Sequence, residues 1–242
     1  MRSTTAASIA IHAGLVCVVQ ADVNVEFRVL NPNPVVVGDE VDVGLFLTSD
    51  DPGANALVSA VELVFEWEVA SMEFIGLDDS GGVLLGFQGF IAAGSNGLNE
   101  ADPPADGDGL YYAFAQFGAP IVATPSGTLL TTFVFQTTDI DPDAHVVLPD
   151  FAGDPPRPTV VFDGVIPNTD ITGSLGSVSI EIRSDCGPAD CDQNGVLNVD
   201  DIDCFVSGFL SGNLEVADCD GNSTLNVDDI DCFVASFLFG CN

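Results

Sequence analysis

Apolar and polar residues alternate along short segments of the chain between residues 22 and 182. From Val23 to Val29, for example, every second residue is apolar. A period of two places these apolar residues on one face of a β-strand, and turn-forming sequences such as Asp51-Pro52-Gly53 separate one segment from the next. The segments predicted as strands are 23–29, 41–47, 61–67, 72–77, 110–117, 129–136, 146–148, 159–162 and 178–182.

No amphipathic helical pattern interrupts these segments. Residues 22–183 are therefore predicted to form a mainly β domain, an antiparallel β-sandwich of the jelly-roll type. Its aromatic and β-branched stripes are interpreted as the core between two sheets and not as a ligand platform. The acidic residues of this region mostly alternate outward or fall in turns, as expected for a solvated surface.

A helical spacing replaces the alternation near the C-terminal end of the chain. Ile202, Phe205, Val206 and Phe209 follow one another at intervals of three and four residues. The same spacing recurs 28 residues later at Ile230, Phe233, Val234 and Phe237. The pattern predicts two helices whose apolar faces pack on each other.

These helical segments belong to an internal repeat. Residues 189–206 recur as residues 217–234 with the same order of Asp, Cys, Asn, Leu and Phe at most positions. A repeat this close indicates two copies of one supersecondary unit. Residues 184–242 are therefore predicted to form a small α-helical module of two copies, which we call the tail.

The N-terminal segment has one arginine, a short apolar run and small residues near Ala21. This combination predicts a secretory signal peptide over residues 1–21, cleaved after Ala21. The apolar run is too short to span a membrane comfortably, and no other segment is comparably apolar, so the mature chain is predicted to have no transmembrane span. The expected location is extracellular, either secreted or at the cell surface.

The charge of the chain is strongly negative. The chain contains 37 acidic residues, four arginines and no lysine, and its formal net charge is −33. Such a surface repels nucleic acid and anionic lipid, so neither is expected as a partner. Two interpretations of the acidity stay open, a solvated salt-tolerant surface and the binding of divalent cations.

The cysteines are confined to the tail once the predicted signal peptide is removed. An even, clustered set in an exported chain predicts a disulfide framework, while zinc is disfavoured because no CxxC pair occurs and His145 lies far upstream. Spacing favours the bonds Cys191–Cys204, Cys219–Cys232 and Cys186–Cys241. A crossed arrangement, with Cys191–Cys232 and Cys204–Cys219, also stays open.

The repeat contains oxygen-bearing side chains at the spacing of a calcium loop. Calcium takes roughly six to eight oxygen ligands, and a loop of about 12 residues supplies them from positions 1, 3, 5, 7, 9 and 12. In loop one, residues 190–201, these positions are Asp190, Asp192, Asn194, the Val196 carbonyl, Asn198 and Asp201. In loop two, residues 218–229, they are Asp218, Asp220, Asn222, the Thr224 carbonyl, Asn226 and Asp229. The chain is therefore predicted to bind two calcium ions.

One position distinguishes the two loops in the sequence. Position 6, where the backbone turns sharply, is Gly195 in loop one and Ser223 in loop two. A left-handed turn is costly for a residue with a side chain. Loop one is therefore predicted to bind calcium more tightly than loop two.

The repeated loops, each closed by Asp at position 12, resemble the dockerin family over residues 190–238. The resemblance implies two EF-hand-like calcium sites and a cohesin-like protein domain as partner. The six cysteines and the Gly240-Cys241 ending are similar to cysteine-ending dockerin-like tails of planctomycete exported proteins. That second resemblance implies cell-surface sorting machinery as the partner.

The sandwich resembles cohesin and related carbohydrate-binding-like domains over residues 23–182. The similar segments are residues 35–43, 61–67, 72–77, 127–135 and 160–164. The resemblance implies a fold that serves protein docking or polysaccharide binding, without naming the ligand.

Two classes of function follow from these predictions. The favoured one is a non-catalytic secreted binding protein whose sandwich is attached through a calcium-dependent dockerin-like module, for assembly or cell-surface anchoring. The alternative is a small polysaccharide-degrading enzyme, an O-glycosyl hydrolase with a dockerin tail. No catalytic residue is assigned: no GxSxG sequence accompanies His145 and no phosphate-binding glycine loop occurs, although paired carboxylates remain an open option.

Overall fold

The computed structural model describes residues 21–31, 33–91, 96–166, 168–184 and 186–241. The predicted signal peptide lies outside this part of the chain, except for Ala21. The described strands are β1 (Val23–Val29), β2 (Val35–Val36), β3 (Glu40–Ser49), β4 (Ala56–Trp67), β5 (Met72–Asp78), β6 (Leu85–Phe90), β7 (Asp108–Ala115), β8 (Ile121–Ala123), β9 (Thr128–Thr137), β10 (Asp141–Val147), β11 (Phe151–Ala152), β12 (Arg157–Pro158), β13 (Val160–Asp163), β14 (Thr172–Gly176) and β15 (Val178–Arg183).

The strands form two large sheets that enclose one hydrophobic core. The first sheet has the order β14-β1-β3-β9-β5. The second has the order β2-β15-β10-β4-β7-β6, and β8 and β13 also pair with the long strand β4. A small third sheet consists of β11 and β12. This arrangement confirms the mainly β sandwich predicted from the alternation.

Aromatic side chains from both sheets fill the centre of the sandwich. The Phe65 ring lies 4.9 Å from that of Phe133 and 5.5 Å from that of Trp67, measured between centroids. Phe74 also contacts both Phe65 and Phe133. Burying a side chain of this size contributes about 2–3 kcal/mol, and edge-to-face ring pairs add to it. The alternating apolar residues are therefore core, as predicted.

Several features of the sheets differ from the sequence prediction. The segments 110–117 and 146–148 belong to strands with other limits, β7 ending at Ala115 and β10 beginning at Asp141. Strands β2, β6, β8, β11, β12 and β14 were not predicted. The sandwich is also not wholly antiparallel, because β1 pairs with β14 and β2 pairs with β15 in parallel. The missed strands are short or glycine-containing, so they show no period of two.

The tail contains a 3-10 turn at Gly187–Ala189 and three helices, α1 (Val199–Ser211), α2 (Leu214–Ala217) and α3 (Val227–Phe239). Phe205 of α1 stacks on Phe233 of α3 with ring centroids 4.2 Å apart. Together with Ala189 and Ala217, these rings form the small core of the tail. The predicted packing between the repeated helices is therefore present at these two phenylalanines.

The prediction of which residues form the buried apolar face of each helix was partly wrong. Phe205 is 4% exposed, but its neighbour Val206 is 46% exposed and Ile202 also lies at the surface. The equivalent residues of α3, Ile230 and Val234, are exposed in the same way. The phenylalanines of the pattern form this core with Ala189 and Ala217, and the aliphatic residues of the same pattern face outward.

Three disulfides hold the tail together. Cys191 is bonded to Cys204, and Cys219 to Cys232, with Cα atoms 5.9 Å apart in both pairs. Cys186 is bonded to Cys241 across 55 residues of sequence. The structure thus has the pairing within each repeat rather than the crossed arrangement.

None of the helices in the described part of the chain is long and apolar enough to cross a membrane.

Candidate metal centre

Each repeat brings three aspartates of its loop together. One carboxylate oxygen from each of Asp190, Asp192 and Asp201 lies within 4.8 Å of the others. In loop two, Asp218, Asp220 and Asp229 converge in the same way. These residues occupy positions 1, 3 and 12, which the sequence assigned to calcium ligands.

Position 12 of each loop lies in the first turn of the helix that follows the loop, and the N-cap of that helix orients its side chain. Asn198 is the N-cap of α1, and its side chain accepts a hydrogen bond from the Asp200 amide at 2.6 Å. Asp201 completes a capping box by accepting from the Asn198 amide at 2.9 Å. Asn226 and Asp229 repeat this arrangement at α3. A cap of this type stabilises a helix by about 1 kcal/mol, so positions 9 and 12 have a structural role of their own.

The position-12 carboxylates are fully buried beside the loops. Asp201 and Asp229 have no exposed surface. Asp201 also accepts a long hydrogen bond, at 3.4 Å, from the Asp192 amide on the far side of loop one. A buried carboxylate needs either several donors or a cation to offset its lost hydration. The capping bonds supply some of that compensation and leave lone pairs facing the other two aspartates.

The position-1 aspartates hold the turn of each loop. Asp190 accepts from the amides of Asn194 at 3.0 Å and Gly195 at 2.8 Å. In loop two, one oxygen of Asp218 accepts from the Ser223 amide at 2.8 Å. The other oxygen, Oδ1, is buried and has no hydrogen-bond partner. Because an unpartnered buried anionic oxygen is costly, it is an observation that fits a cation in loop two.

Positions 5, 7 and 9 take part in bonds within the loops. The Asn194 side chain accepts from the Val196 amide at 2.8 Å, and Asn198 donates to the Val196 carbonyl at 3.3 Å. Asn222, Thr224 and Asn226 make the equivalent bonds in loop two. The structure therefore gathers the predicted aspartates of each site, while the predicted amide and carbonyl oxygens lie beside them in loop and cap hydrogen bonds.

The electrostatics of the tail favour a cation. Residues 184–242 contain 12 aspartates and glutamates and no lysine, arginine or histidine. At short range, like charges of this density repel each other unless a counter-ion is bound. Oxygen donors alone, with no thiolate or imidazole at the site, suit a hard cation such as calcium. The residues present thus fit two calcium ions, which positions 1, 3 and 12 of each loop would hold together with the neighbouring oxygens.

Loop one has one feature that was not predicted from the sequence. Position 4, Gln193, has a φ of 59°, in the left-handed region that favours glycine. Loop two has Gly221 at this position, with a φ of 71°. At position 6 the assignment is reversed, since Gly195 has a φ of 77° and Ser223 a φ of 64°. Each loop therefore has one glycine and one larger residue at these two turn positions, which could have been found by aligning the repeats.

The three disulfides also bear on the location of the protein. Disulfides persist in oxidising compartments and are rare in the cytosol. The three disulfides of the tail therefore fit an extracellular location.

Comparisons with known proteins give fold similarity only. No family profile and no curated protein sequence matches the chain. Among solved structures, the chain is similar to the cohesin module of a Clostridium perfringens family 33 glycoside hydrolase, with 14% identity, 67% of this chain and 97% of that chain covered, and a TM-score of 0.41.

Two further solved structures give the same picture. A type I cohesin–dockerin complex from Clostridium thermocellum matches with 15% identity, 66% of this chain and 99% of that chain covered, and a TM-score of 0.44. The sixth cohesin of scaffoldin B from Acetivibrio cellulolyticus, in complex with a dockerin, matches with 17% identity, coverage of 66% and 99%, and a TM-score of 0.41. At these identities and scores the likeness concerns the arrangement of strands, and no functional statement about this chain follows from it.

Proposed function

We propose that this chain is a secreted, non-catalytic binding protein in which a β-sandwich is joined to a calcium-dependent, dockerin-like module. The observation on which the proposal rests is the convergence of three aspartates within 4.8 Å in each of two repeated loops. The tail offers no basic side chain to neutralise them. A bound calcium ion would supply the missing positive charge and hold each loop against the helix that follows it.

A duplicated apolar surface gives the tail a means of docking. Exposed aliphatic residues lie along one stripe of α1 and at the equivalent positions of α3. We call these the α1 stripe and the α3 stripe; they consist of Val199, Ile202, Val206 and Leu210, and of Val227, Ile230, Val234 and Leu238. Exposed apolar patches on a small domain are typical of protein-binding surfaces. The proposed partner is a cohesin-like domain or a component of the cell-surface sorting machinery.

Calcium titration of the chain from residue 22 tests the proposal. Calorimetry should detect two calcium ions per chain, and circular dichroism should show more helix with calcium than with EDTA, because the ion relieves the repulsion that opposes folding of the tail. Asp192→Ala and Asp220→Ala serve as matched variants, since both residues are exposed and outside the helix caps. Each should remove one site. Absence of bound calcium, with the same helix content in EDTA, would contradict the proposal.

A second candidate function is polysaccharide degradation by the sandwich. One observation favours it: Asp108 lies directly across from Glu66 in the sheet, and its pKa is raised to about 6 by burial and by the nearby carboxylates of Asp106, Glu66 and Glu100. A carboxylic acid with a raised pKa beside a second carboxylate is the pair that glycosidases use. Release of reducing sugar from plant or algal polysaccharides, lost in Asp108→Asn, would support this candidate over the first.

A further inference from the structure

Loop one is attached to the sandwich through the end of β15. Arg183, the last residue of that strand, donates a hydrogen bond from Nη1 to the carbonyl of Gln193. Ser184, the next residue, donates from its hydroxyl to the carbonyl of Gly195 at 2.7 Å. The side chain of Arg183 also packs against Gly195, where an added Cβ would lie 3.4 Å from the Arg183 Cβ.

Loop two lacks this attachment. The carbonyls that correspond to those of Gln193 and Gly195 belong to Gly221 and Ser223. In the part of the chain that the structure describes, no side chain of the sandwich donates to either of them. The two loops share a fold and most of their sequence pattern, so the attachment distinguishes them in addition to their turn residues.

The attached carbonyls lie at the two turn positions of loop one. Gln193 and Gly195 both have φ values in the left-handed region, 59° and 77°. For Gln193 this conformation costs about 1 kcal/mol relative to glycine. Hydrogen bonds from Arg183 and Ser184 to these two residues offset that cost, and they hold the turn in the shape that brings Asp190 and Asp192 together.

The charge of Arg183 does not oppose a cation in the loop. Its guanidinium forms an ion pair with Glu181, with Nε and Nη2 at 2.8 Å and 2.7 Å from Oε1. The Arg183–Glu181 pair is close to neutral as a whole. Its effect on loop one therefore comes mainly from the hydrogen bonds, and only to a smaller extent from repulsion of the calcium ion.

From these contacts we infer that Arg183 of the sandwich and Ser184 at the start of the tail are positioning residues for the loop-one calcium site, so that calcium binding there is coupled to docking of loop one on the end of β15. The inference rests on the proposed function of the loops. Coupling between two events is reciprocal: if docking favours calcium in loop one, calcium in loop one favours docking by the same factor. Loop two binds calcium independently of the sandwich.

The test uses the chain from residue 22 with the substitutions Arg183→Gln and Ser184→Ala combined. Calcium is titrated while the amide resonances of Gly195 and Ser223 follow the two loops separately by nuclear magnetic resonance. We expect loop one to weaken about tenfold, the equivalent of about two ordinary hydrogen bonds, and loop two to stay within about twofold. Arg183→Lys with Ser184 retained should recover part of the affinity.

The matched control is Arg28→Gln. Arg28 is paired with Glu26 two residues away on β1, as Arg183 is with Glu181 on β15, so the control removes the same charge from the same kind of pair. It should leave both loops unchanged. Equal weakening of both loops in the Arg183/Ser184 variant, or no weakening of either, would overturn the inference while the calcium sites stand. Failure of the unmodified chain to bind calcium would overturn the proposed function and the inference together.

Discussion

At the scale of single residues, the turn positions of the loops affect the calcium affinity expected of each site. The sequence alone assigned the weaker site to loop two because Ser223 replaces a glycine. The structure adds a second residue of the same kind, Gln193, in loop one. The left-handed conformation costs about 1 kcal/mol at each, so the two penalties are similar and the ranking no longer follows from Ser223 alone.

The first prediction concerns these two residues. Gln193→Gly should tighten loop one, and Ser223→Gly should tighten loop two, each by about fivefold, because each removes one left-handed non-glycine residue. Site-resolved calcium titration measures both effects. Gly195→Ser is the control, since it gives loop one the turn residue of loop two and should weaken loop one. The explanation by backbone conformation fails if the two glycine variants leave both affinities unchanged.

A second prediction concerns Asp108, which lies away from the calcium loops. Its folded-state pKa of about 6 is raised from an ordinary value near 3.8, first by burial and then by the charges of Asp106, Glu66 and Glu100. The folded state therefore binds this proton between pH 4 and pH 6 while the unfolded state does not, so stability falls as pH rises through this window.

Asp108→Asn removes the titrating group. The variant should melt at a higher temperature than the unmodified protein at pH 7, and the difference should shrink as pH approaches 4. Thermal melts at saturating calcium measure this. Asp102→Asn, at an exposed position shortly before β7, is the control and should show a smaller change. A larger effect of Asp108→Asn at pH 4 than at pH 7 would contradict the assigned cause.

At the scale of elements, helix α1 has a core residue and a surface residue at adjacent positions. Phe205 is buried against Phe233, whereas Val206 is nearly half exposed. Phe205→Ala should therefore destabilise the tail by about 3–5 kcal/mol, and Val206→Ala by less than about 0.5 kcal/mol. Denaturant titration followed by the helix signal in circular dichroism compares them. Similar losses in the two variants would place both residues in the core, contrary to the structure.

The helices also show what sequence patterns can predict and what they cannot. The spacing of Phe205 and Phe209 predicted a helix, and the Asn and Asp residues that close the loops begin it at the expected place. The same spacing could not predict which apolar residues are covered, because Ile202 and Val206 satisfy it as well. That choice depends on the distance between α1 and α3, which is a tertiary property.

The strands show the same limit of what a sequence pattern can predict. Strands with a clear period of two, such as β1 and β3, were predicted within a few residues. Strand β6 contains two glycines in six residues and β14 contains two in five, and neither alternates. Pairing fixes their place in a sheet. Strand β6 pairs with β7, and β14 pairs with β1, which lies far away in the sequence. The left-handed conformation of Gln193 was also not predicted, because its sequence signal lies in the other repeat, at Gly221.

At the scale of the whole molecule, the disulfides are expected to contribute unequally to stability. On the chain-entropy account, a bond closing 13 residues contributes about 3 kcal/mol and one closing 55 residues about 4 kcal/mol. Replacing both Cys186 and Cys241 by Ser should therefore lower the free energy of unfolding of the tail more than replacing Cys191 and Cys204. Guanidinium titrations of the two double variants with calcium present test the order. The reverse order would show that strain or residual structure outweighs loop closure.

The bond between Cys186 and Cys241 has one more consequence. The Cα atoms of these residues lie 4.0 Å apart, about the separation of consecutive residues along a chain. The polypeptide therefore enters and leaves the tail at almost the same point. A unit with this geometry can be grafted into a surface turn of an unrelated host without pulling the two sides of that turn apart. The tail can therefore be transferred as a unit: loop two should keep its shape at an internal site of a host protein, whereas loop one would need Arg183 transferred with it.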